Sequence, residues 1–288
     1  MDYKIKFIKK NKLNNLTKGN CYKNEIIFID GLWGTGKSLL SPIISGMNLV
    51  EKVRVEIFYE QIGILLSLNK ITEDAAKILI QNRADNNLYD GILGREVNFR
   101  LFDDTGVFNN PNPLRYIKRQ FIKDVNIQNT FNEKIALSLM GHMNILNLDI
   151  LIESFGERLK FIEVVRHPVY MFNHWVSYLE RFSDPKIFII SNFYKNSKIP
   201  WFAFDWAKEY VSLNIYDRTL KSIIYTSNLM LKIIKKNKLK NDLFLAVSFE
   251  SLVFDTEKEL KKLEIFLGRK YPHNIKTLLK KQRIPRKT

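Results

Sequence analysis

The feature that most restricts the fold of this chain is an apolar run followed at once by a glycine-rich turn. Residues 25–30 read EIIFID, a run with the β-branched content of a strand buried on both faces of a sheet. Residues 31–38 read GLWGTGKS, which matches the pattern G-x-x-x-x-G-K-[ST], and a helical stretch follows. In that context glycines let backbone N–H groups converge on phosphate oxygens, and the helix N-terminus favours an anion. The segment therefore predicts a phosphate-binding loop.

The candidate phosphate ligands in this loop are Gly34, Thr35, Gly36, Lys37 and Ser38. Lys37 supplies a positive charge, and the Ser38 hydroxyl can bond a phosphate oxygen, or a magnesium ion if the ligand is a nucleoside triphosphate. The loop does not identify the phosphate compound, because kinases, nucleotide hydrolases and sulfotransferases that use 3′-phosphoadenosine 5′-phosphosulfate share this architecture. A glycine-rich turn without a ligand is the alternative interpretation.

Three further segments have the character of strands, and helical patterns lie between them. KFIEVV at 160–165 and LFLAVSF at 243–249 read as buried strands, and KIALSLM at 134–140 alternates more. Helices are predicted from Ile71 onward and over residues 255–268, where a glycine stands at the stop position. Strands that alternate with helices predict an α/β fold, a three-layer α/β/α P-loop fold with a central parallel sheet.

Length and composition favour one folded domain. With 288 residues, 45% of them hydrophobic, the chain can bury a large core. We expect a basic arm over residues 1–22 and a single domain over residues 23–288, with helical or aromatic insertions near 88–129 and 184–216. The second insertion is rich in aromatic residues, which either form the core of an irregular subdomain or line a lid or acceptor-binding wall.

The chain carries 46 Lys and Arg against 30 Asp and Glu, a formal net charge of +16 at pH 7. Such an excess either belongs to lysine-rich solvated surfaces or gathers an anionic ligand. The lysine clusters near residues 9–12, 235–240 and 280–287 have neither interleaved aromatic residues nor a nucleic-acid-binding motif. We therefore expect no nucleic acid partner.

The number of cysteines and the hydropathy of the sequence bear on the cellular compartment of the protein. The single cysteine, Cys21, excludes an internal disulfide and fits a reducing compartment. No run approaches the roughly 20 apolar residues that a spanning helix needs, and the N-terminus lacks the apolar region of a signal peptide. We expect a soluble, cytoplasmic protein with no membrane span. No spacing of His, Cys and Asp residues resembles a metal site.

Two later segments place charged residues at predicted strand ends. Residues 160–175 read KFIEVVRHPVYMFNHW, where Pro168 can open a helix directly after the strand. Arg166 thus lies at the carboxyl end of a parallel strand, where ligands of open sheets bind, and its guanidinium can hold a phosphate through two bonds. Residues 246–268 read as a strand, an acidic turn that contains Glu250, and an amphipathic helix.

Together these segments resemble the P-loop sulfotransferase family from about Glu25 to Lys270. The family's V-x-R-[ND]-P segment is matched by VVRHP, its y-E-d-L turn and F-L-G helix end by FESL and EIFLG, and its G-x-P-[KR]-[ST]-G-[ST]-[ST] loop overlays residues 31–38. The resemblance implies transfer of a sulfuryl group from 3′-phosphoadenosine 5′-phosphosulfate, as co-substrate, to a hydroxyl, or an amine, of an acceptor. The resemblance implies that this reaction requires no metal. Glycans and other carbohydrates, lipid headgroups, peptides and small molecules remain open as acceptors.

The resemblance also implies roles for single residues. Arg166 would hold the 3′-phosphate of the donor, and His174 stands where the family has a serine as the second ligand, with Ser177 as the other candidate. His142 lies 24 residues before Arg166, after a predicted strand. In that position the family often has a histidine that acts as general base on the acceptor hydroxyl, although many relatives use a glutamate.

Two departures from the family concern the loop. The family has a basic residue where this chain has Gly34, and a Ser or Thr where this chain has Lys37. Lys37 is therefore the candidate catalytic cation that stabilises the bridging oxygen of the donor. Glu250 is expected to be an architectural turn residue.

A small-molecule or nucleoside kinase that uses ATP or GTP is the alternative function, because IFIDGLWGTGKS is also similar to the opening of nucleoside kinases. Asp149 is a poor match to the acid that such an enzyme carries at a strand end. A third interpretation is a nucleotide-sensing or carbohydrate-binding module. Weaker candidates are Asp103 and Asp104, as acids that orient an acceptor or are solvated turn formers, and Arg283 and Arg286, as a tail that closes over a phosphate or is a free basic end.

Overall fold

The computed structural model describes residues 16–103, 105–121, 134–237 and 242–286. The strands in this part of the chain are β1 (Ile26–Asp30), β2 (Arg54–Val55), β3 (Leu137–Met140), β4 (Leu159–Val165), β5 (Ser191–Tyr194), β6 (Ser197–Pro200) and β7 (Phe244–Ser248). Five of them form one sheet in the order β2-β3-β1-β4-β7, and every pairing in that sheet is parallel. The other two, β5 and β6, form an antiparallel hairpin.

Helices connect the strands and cover both faces of the sheet. Those described are α1 (Lys37–Ser45), α2 (Phe58–Ser67), α3 (Glu73–Leu93), α4 (Pro113–Arg119), α5 (Leu148–Phe155), α6 (Pro168–Glu180), α7 (Ala207–Ser212), α8 (Ile215–Asn237), α9 (Phe249–Phe254), α10 (Thr256–Leu267) and α11 (Ile275–Lys281). No helix in the described residues is long and apolar enough to cross a membrane.

The two faces of β1 explain the three layers. Ile26 and Phe28 point into a core shared with α2, α3 and α5, whereas Ile27 and Ile29 point into a second core shared with α1, α9 and α10. Successive strand residues alternate between the faces of a sheet, so a strand that is apolar throughout needs a helical layer on each side. The predicted α/β/α fold with a central parallel sheet is confirmed.

Several boundaries differ from the predicted ones, and two of the differences bear on the strands next to the site. The predicted strand at 134–140 is shorter, because β3 begins at Leu137 and Ala136 makes only a single bridge, to Val50. Phe249, placed in a strand by the sequence, begins α9 instead. The Ser248 hydroxyl accepts a hydrogen bond from the Ser251 amide, which caps that helix and ends the strand one residue earlier.

The insertion near 184–216 packs against the phosphate loop. Its hairpin, a 3₁₀ turn over Trp201–Trp206 and α7 bury Phe202 and Tyr210 in a third cluster. That cluster also contains Leu32 and Trp33 of the loop. Some aromatic residues of the insertion therefore form a core that includes part of the loop, whereas Phe188 and Phe193 are exposed.

The predicted arm and the other insertion are described only in part, because residues 1–15, 104 and 122–133 lie outside the described residues. In the arm, the amides of Leu16 and Tyr22 donate to Asp74 and Asp85 of α3. In the insertion near 88–129, Asn110 donates to the carbonyl oxygen of Ser45, at the end of α1 farthest from the phosphate loop.

Candidate functional site

The phosphate loop joins β1 to α1 through two glycines with left-handed backbone. Gly34 has φ of +80° and Gly36 has φ of +97°, which residues with a Cβ rarely adopt. A Cβ on Gly36 would also run into the ring of Phe249. The first amides of a helix have no partners within the helix, and Ser38 in this first turn is exposed. The loop thus has N–H groups without a partner inside the helix and an exposed hydroxyl, an arrangement that suits an anion.

Lys37 is buried, and its ammonium closes the loop. Nζ donates to the carbonyl oxygens of Gly31 and Leu32, each at 2.7 Å. Burial lowers the pKa of Lys37 to about 8, against the opposing effect of nearby carboxyl groups. The Thr35 hydroxyl also bonds inside the loop, to Leu32 O at 2.9 Å. Both side chains stabilise the loop conformation.

Arg166 directly follows β4 and contacts the loop. Its Nη1 donates to Gly34 O at 2.9 Å, and its guanidinium lies 4.2 Å from the centroid of the Phe249 ring. Its Nε is buried and has no hydrogen-bond partner among the described residues. Burial lowers the pKa of Arg166, but an arginine remains charged at neutral pH. Arg166 therefore has donor capacity left for a ligand.

The segment that contains Arg166 and the acidic turn that contains Glu250 contact each other. Glu250 Oε1 accepts from the His167 amide at 3.0 Å, and Phe249 stacks beneath Arg166. Arg286 approaches the same ring, with its guanidinium 5.9 Å from the centroid. Its backbone amide is held by Val253 O at 2.8 Å. The two sequence motifs thus form one surface with two guanidinium groups.

His174, on α6, lies against the loop. A Cβ added at Gly34 would be 3.2 Å from the Cβ of His174 and 3.3 Å from its ring. With a φ of +80°, a residue with a Cβ would be strained at position 34, and His174 would have to move by a few tenths of an ångström to accommodate it. Burial, and then the charges of Lys37, Arg181 and Arg166, lower the pKa of His174.

His142 lies beside the loop, directly after β3 and Gly141. The next amide, of Met143, donates to Gly31 O at 3.4 Å. Burial lowers the pKa of His142 to about 3, and the charges of Lys37 and His174 add to this effect. The imidazole is therefore neutral at pH 7, and it is a weak base in this state. The structure brings His142, Lys37, His174 and Arg166 to one edge of the sheet.

Sequence reasoning missed three buried acids beside Lys37: Asp30 at the end of β1, Glu60 on α2 and Glu163 in β4. Burial raises the pKa of Glu60 to about 8, and Trp201 Nε1 donates to its Oε1 at 3.2 Å. A signal existed in the sequence, because an acid inside an otherwise apolar strand, as in KFIEVV, contradicts the pattern of a buried strand.

An aromatic wall fixes the middle of the loop. Trp175 Nε1 donates to Trp33 O at 2.8 Å, and the two rings lie 4.5 Å apart at their centroids. Tyr178 and Phe202 contact Trp33 from other sides, at 4.2 and 5.6 Å. The insertion that carries Phe202 is therefore next to the phosphate loop.

The weaker candidates lie elsewhere or outside the description. Asp149 is in the first turn of α5, not at a strand end, and pairs with Lys236 at 2.6 Å. Asp103 accepts from the amide and hydroxyl of Thr105 in a turn, and Asp104 lies outside the described residues. In the described part of the chain, no group of three or more His, Cys, Asp or Glu side chains is placed to hold a metal ion.

The sheet, its loop and the helix after it define the class of P-loop α/β folds. No family model matches this chain, and no curated protein matches it. Several solved structures are similar to it, and three of them are sulfotransferases or sulfotransferase domains. A sulfotransferase domain from the curacin biosynthetic pathway matches with a TM-score of 0.43 and 13% identity, over 88% of this chain and 76% of its own.

The sulfotransferase domain from the olefin synthase of Synechococcus PCC 7002 matches with a TM-score of 0.40 and 15% identity, over 91% of this chain and 80% of its own. The sulfotransferase STF9 from Mycobacterium avium matches with a TM-score of 0.42 and 9% identity, over 90% of this chain and 67% of its own.

Proposed function

We propose that this protein is a sulfotransferase that uses 3′-phosphoadenosine 5′-phosphosulfate. The observation that carries the proposal is the surface formed by Arg166, Phe249 and the phosphate loop, with Arg166 bonded to Gly34 O at 2.9 Å. The loop alone would also serve a kinase, so the strand-end Arg166 beside it is the feature that favours this donor. A donor with phosphates at two ends needs both.

The residues fit such a donor. The open amides at the start of α1, with Lys37 and Ser38, would hold the phosphosulfate end, and Arg166, His174 and Arg286 would hold the 3′-phosphate. The buried Nε of Arg166 has no partner among the described residues, and two guanidinium groups approach one Phe249 ring. Both features suit a bound anion, which would satisfy the free donor and offset the like charges.

In the proposed reaction the acceptor oxygen, or nitrogen, forms a bond to sulfur while the bond from sulfur to the bridging phosphate oxygen breaks. The neutral imidazole of His142 takes the proton of the acceptor, and the leaving phosphate keeps the electron pair of the broken bond. Lys37 stabilises the charge that develops on that oxygen. Because a bound anion raises the pKa of neighbouring histidines, donor binding makes His142 a stronger base. The acceptor would lie against the aromatic insertion near 184–216.

The first test is calorimetric titration with adenosine 3′,5′-bisphosphate and, separately, with ATP and magnesium. We expect micromolar binding of the bisphosphate without magnesium and much weaker binding of ATP. Absence of bisphosphate binding together with tight, magnesium-dependent ATP binding would overturn the proposal in favour of a kinase. Transfer from labelled donor to a panel of hydroxyl and amine acceptors, glycans included, then identifies the acceptor class.

A further inference from the structure

Helix α8 buries small polar side chains and exposes larger apolar ones. Its buried residues are Thr219, Ser222, Ile223 and Thr226, and three of these carry a hydroxyl. Two leucines, an isoleucine and a tyrosine of the same helix are about half exposed. Burial of such side chains is a main source of stability, so a helix that meets only its own core and water places them inward. The exposed face of α8 therefore needs an explanation.

The exposed apolar side chains of α8 form one stripe, which consists of Tyr216, Leu220, Ile224 and Leu231. Each of them is between 49% and 61% exposed. In a helix of about 3.6 residues per turn they lie within about 80° of one another around the axis, and they extend over about 22 Å of its length. Contiguous exposed apolar surface, unlike single exposed residues, is typical of a site that contacts another molecule or a membrane.

Positive charges lie next to the stripe. α8 contains five Lys or Arg residues and one acid, Asp217. Lys235 is one turn beyond Leu231 on the same side of the helix. Lys235 and Lys232 are exposed, and neither forms an ion pair within the described part of the chain. The apolar stripe and its unpaired lysines therefore suit a partner that is both apolar and negatively charged.

The charge distinguishes between the possible occupants of the stripe. A second copy of the chain would bring two positive helices together, on a protein whose net charge is already +16, so like charges oppose self-association. An anionic bilayer offers an apolar interior below negatively charged headgroups, which matches the stripe and the lysines. We propose that the stripe docks this protein on an anionic membrane surface, with α8 parallel to the membrane plane and the four apolar side chains at the boundary between headgroups and acyl chains.

The apolar surface continues from α8 onto α6. The ring of Phe172 stacks on that of Tyr216, with 6.4 Å between the centroids. Val169, three residues earlier and on the same side of α6, is exposed, and Arg166 is three residues before it. A bilayer against this surface thus lies beside the edge of the sheet that carries the phosphate loop. The docking itself does not rest on the proposed function.

The first test is sedimentation of the protein with vesicles of phosphatidylcholine, prepared with and without phosphatidylserine. Binding should require phosphatidylserine and should weaken as salt is raised, because the lysines attract the negative headgroups. Equal binding to both kinds of vesicle, or binding to neither, would overturn the inference. Binding of adenosine 3′,5′-bisphosphate is measured separately, so the docking and the proposed function can each fail alone.

Ile224→Gln and Ile265→Gln form a matched pair of variants. Ile265 is 74% exposed and lies on α10, which packs on the other face of the sheet. Ile224→Gln should bind the phosphatidylserine vesicles roughly fivefold more weakly, because one aliphatic side chain no longer leaves water. Ile265→Gln should stay within about twofold of the wild type. Glutamine is a good helix former, and circular dichroism checks that both variants fold. Equal losses in the two variants would mean that the stripe is not the docking surface.

Lys235→Gln and Lys270→Gln test the electrostatic part with equal changes in charge. A lysine near an anionic surface contributes about 1 kcal/mol, so Lys235→Gln should weaken vesicle binding roughly fivefold at low salt. Lys270, which follows α10 and pairs with Glu264 at 3.1 Å, should have an effect of less than about twofold. Equal effects of the two substitutions would show attraction by the net charge alone and would contradict docking through α8.

Sedimentation velocity without lipid tests the other occupant. We expect a sedimentation coefficient that does not change with protein concentration, in the wild type and in Ile224→Gln alike. A dimer that Ile224→Gln dissociates would show that a second copy covers the stripe, and this result would overturn the membrane proposal.

Discussion

The guanidinium of Arg166 has one face on Phe249, one N–H on the loop and one N–H without a partner among the described residues. A lysine would keep the charge but lose both the stacking and the planar fork. We therefore expect Arg166→Lys to weaken binding of adenosine 3′,5′-bisphosphate roughly tenfold, and Arg166→Ala roughly a hundredfold, at 1.4 kcal/mol for each factor of ten. Calorimetry measures both.

The control for Arg166 is Arg95→Ala, which removes an exposed arginine that pairs with Asp90 at 3.4 Å. It changes the net charge by the same amount and should leave the affinity within about twofold of the wild type. Equal losses for the two alanine variants would mean that the donor responds to overall charge and not to the Arg166 site.

His142 and His174 should differ in what their replacement changes. His142→Asn removes the proposed base, and we expect kcat to fall by about 10²–10⁴ with little change in bisphosphate affinity. His174→Asn removes a proposed phosphate ligand and should mainly weaken binding. A His142→Asn variant that loses affinity but keeps kcat would contradict the assigned roles.

The pH dependence gives an independent check on His142. Because burial lowers its pKa to about 3, the imidazole stays neutral as the pH falls through the ordinary histidine value of about 6.5. The profile of kcat/KM, which reports groups of the free enzyme, should therefore show no acid limb due to His142 above about pH 5. A limb near 6.5 that vanishes in His142→Asn would show that the histidine is exposed to water and charged there.

The site residues that could be predicted from the sequence are those that belong to a local sequence motif. The glycine spacing predicted the loop, and Pro168 shortly after Arg166 predicted a strand end followed by a helix. Asp30 and Glu163 could not be paired from sequence, because their proximity depends on the strand register of β1 and β4. The contact of Arg286 with Phe249 could not be predicted either, because it depends on the path of the chain after α11.

At the scale of elements, the contact between α6 and the loop is the most consequential for binding. Trp175 is fully buried, and its indole N–H donates to Trp33 O at 2.8 Å. Trp175→Phe leaves that carbonyl unpaired and a cavity beside it, so we expect the protein to lose about 2–4 kcal/mol of unfolding free energy. Bisphosphate affinity should also fall several-fold, because the loop loses an anchor. Urea unfolding and calorimetry measure the two effects.

Trp206→Phe is the matched control for Trp175. The Trp206 indole donates to Phe202 O at 2.9 Å, within the insertion and without a bond to the loop. We expect this variant to lose stability but to keep its bisphosphate affinity. If both variants lost affinity equally, the effect would come from a general loosening of the insertion and not from the bond to Trp33.

The helices and strands that were predicted are those that a local sequence pattern determines. Continuous apolar runs predicted β1 and β4, and the glycine after Leu267 predicted the end of α10, where Gly268 has φ of +61°. The start of α9 was missed because Phe249 is apolar and continues the run, whereas the Ser248 cap ends the strand. The insertion near 184–216 has no strong period, since its aromatic residues pack on the loop and on α6 and not on one regular face.

At the scale of the whole molecule, the net charge of +16 is spread over a surface much larger than the site. At physiological salt, exposed charges more than about 8 Å apart are largely screened from each other. Among the described residues, cations at the loop edge such as Lys37, Arg166 and Arg286 are placed to act on the proposed donor. The remaining excess should change how fast anions approach at low salt more than how tightly the donor binds.

Lys270 and Arg286 allow this separation to be tested with equal changes in charge. Lys270 O accepts from the Asn48 amide, just beyond the C-terminal end of α1. The nine residues of α1, at 1.5 Å each, put this end of the helix about 14 Å from the loop. We expect Lys270→Gln to leave the bisphosphate affinity unchanged within about twofold at physiological salt, and Arg286→Gln to lower it roughly tenfold. Calorimetry at two salt concentrations measures both. Equal losses in the two variants would mean that the field of the whole protein, and not the pair of arginines at Phe249, determines donor affinity.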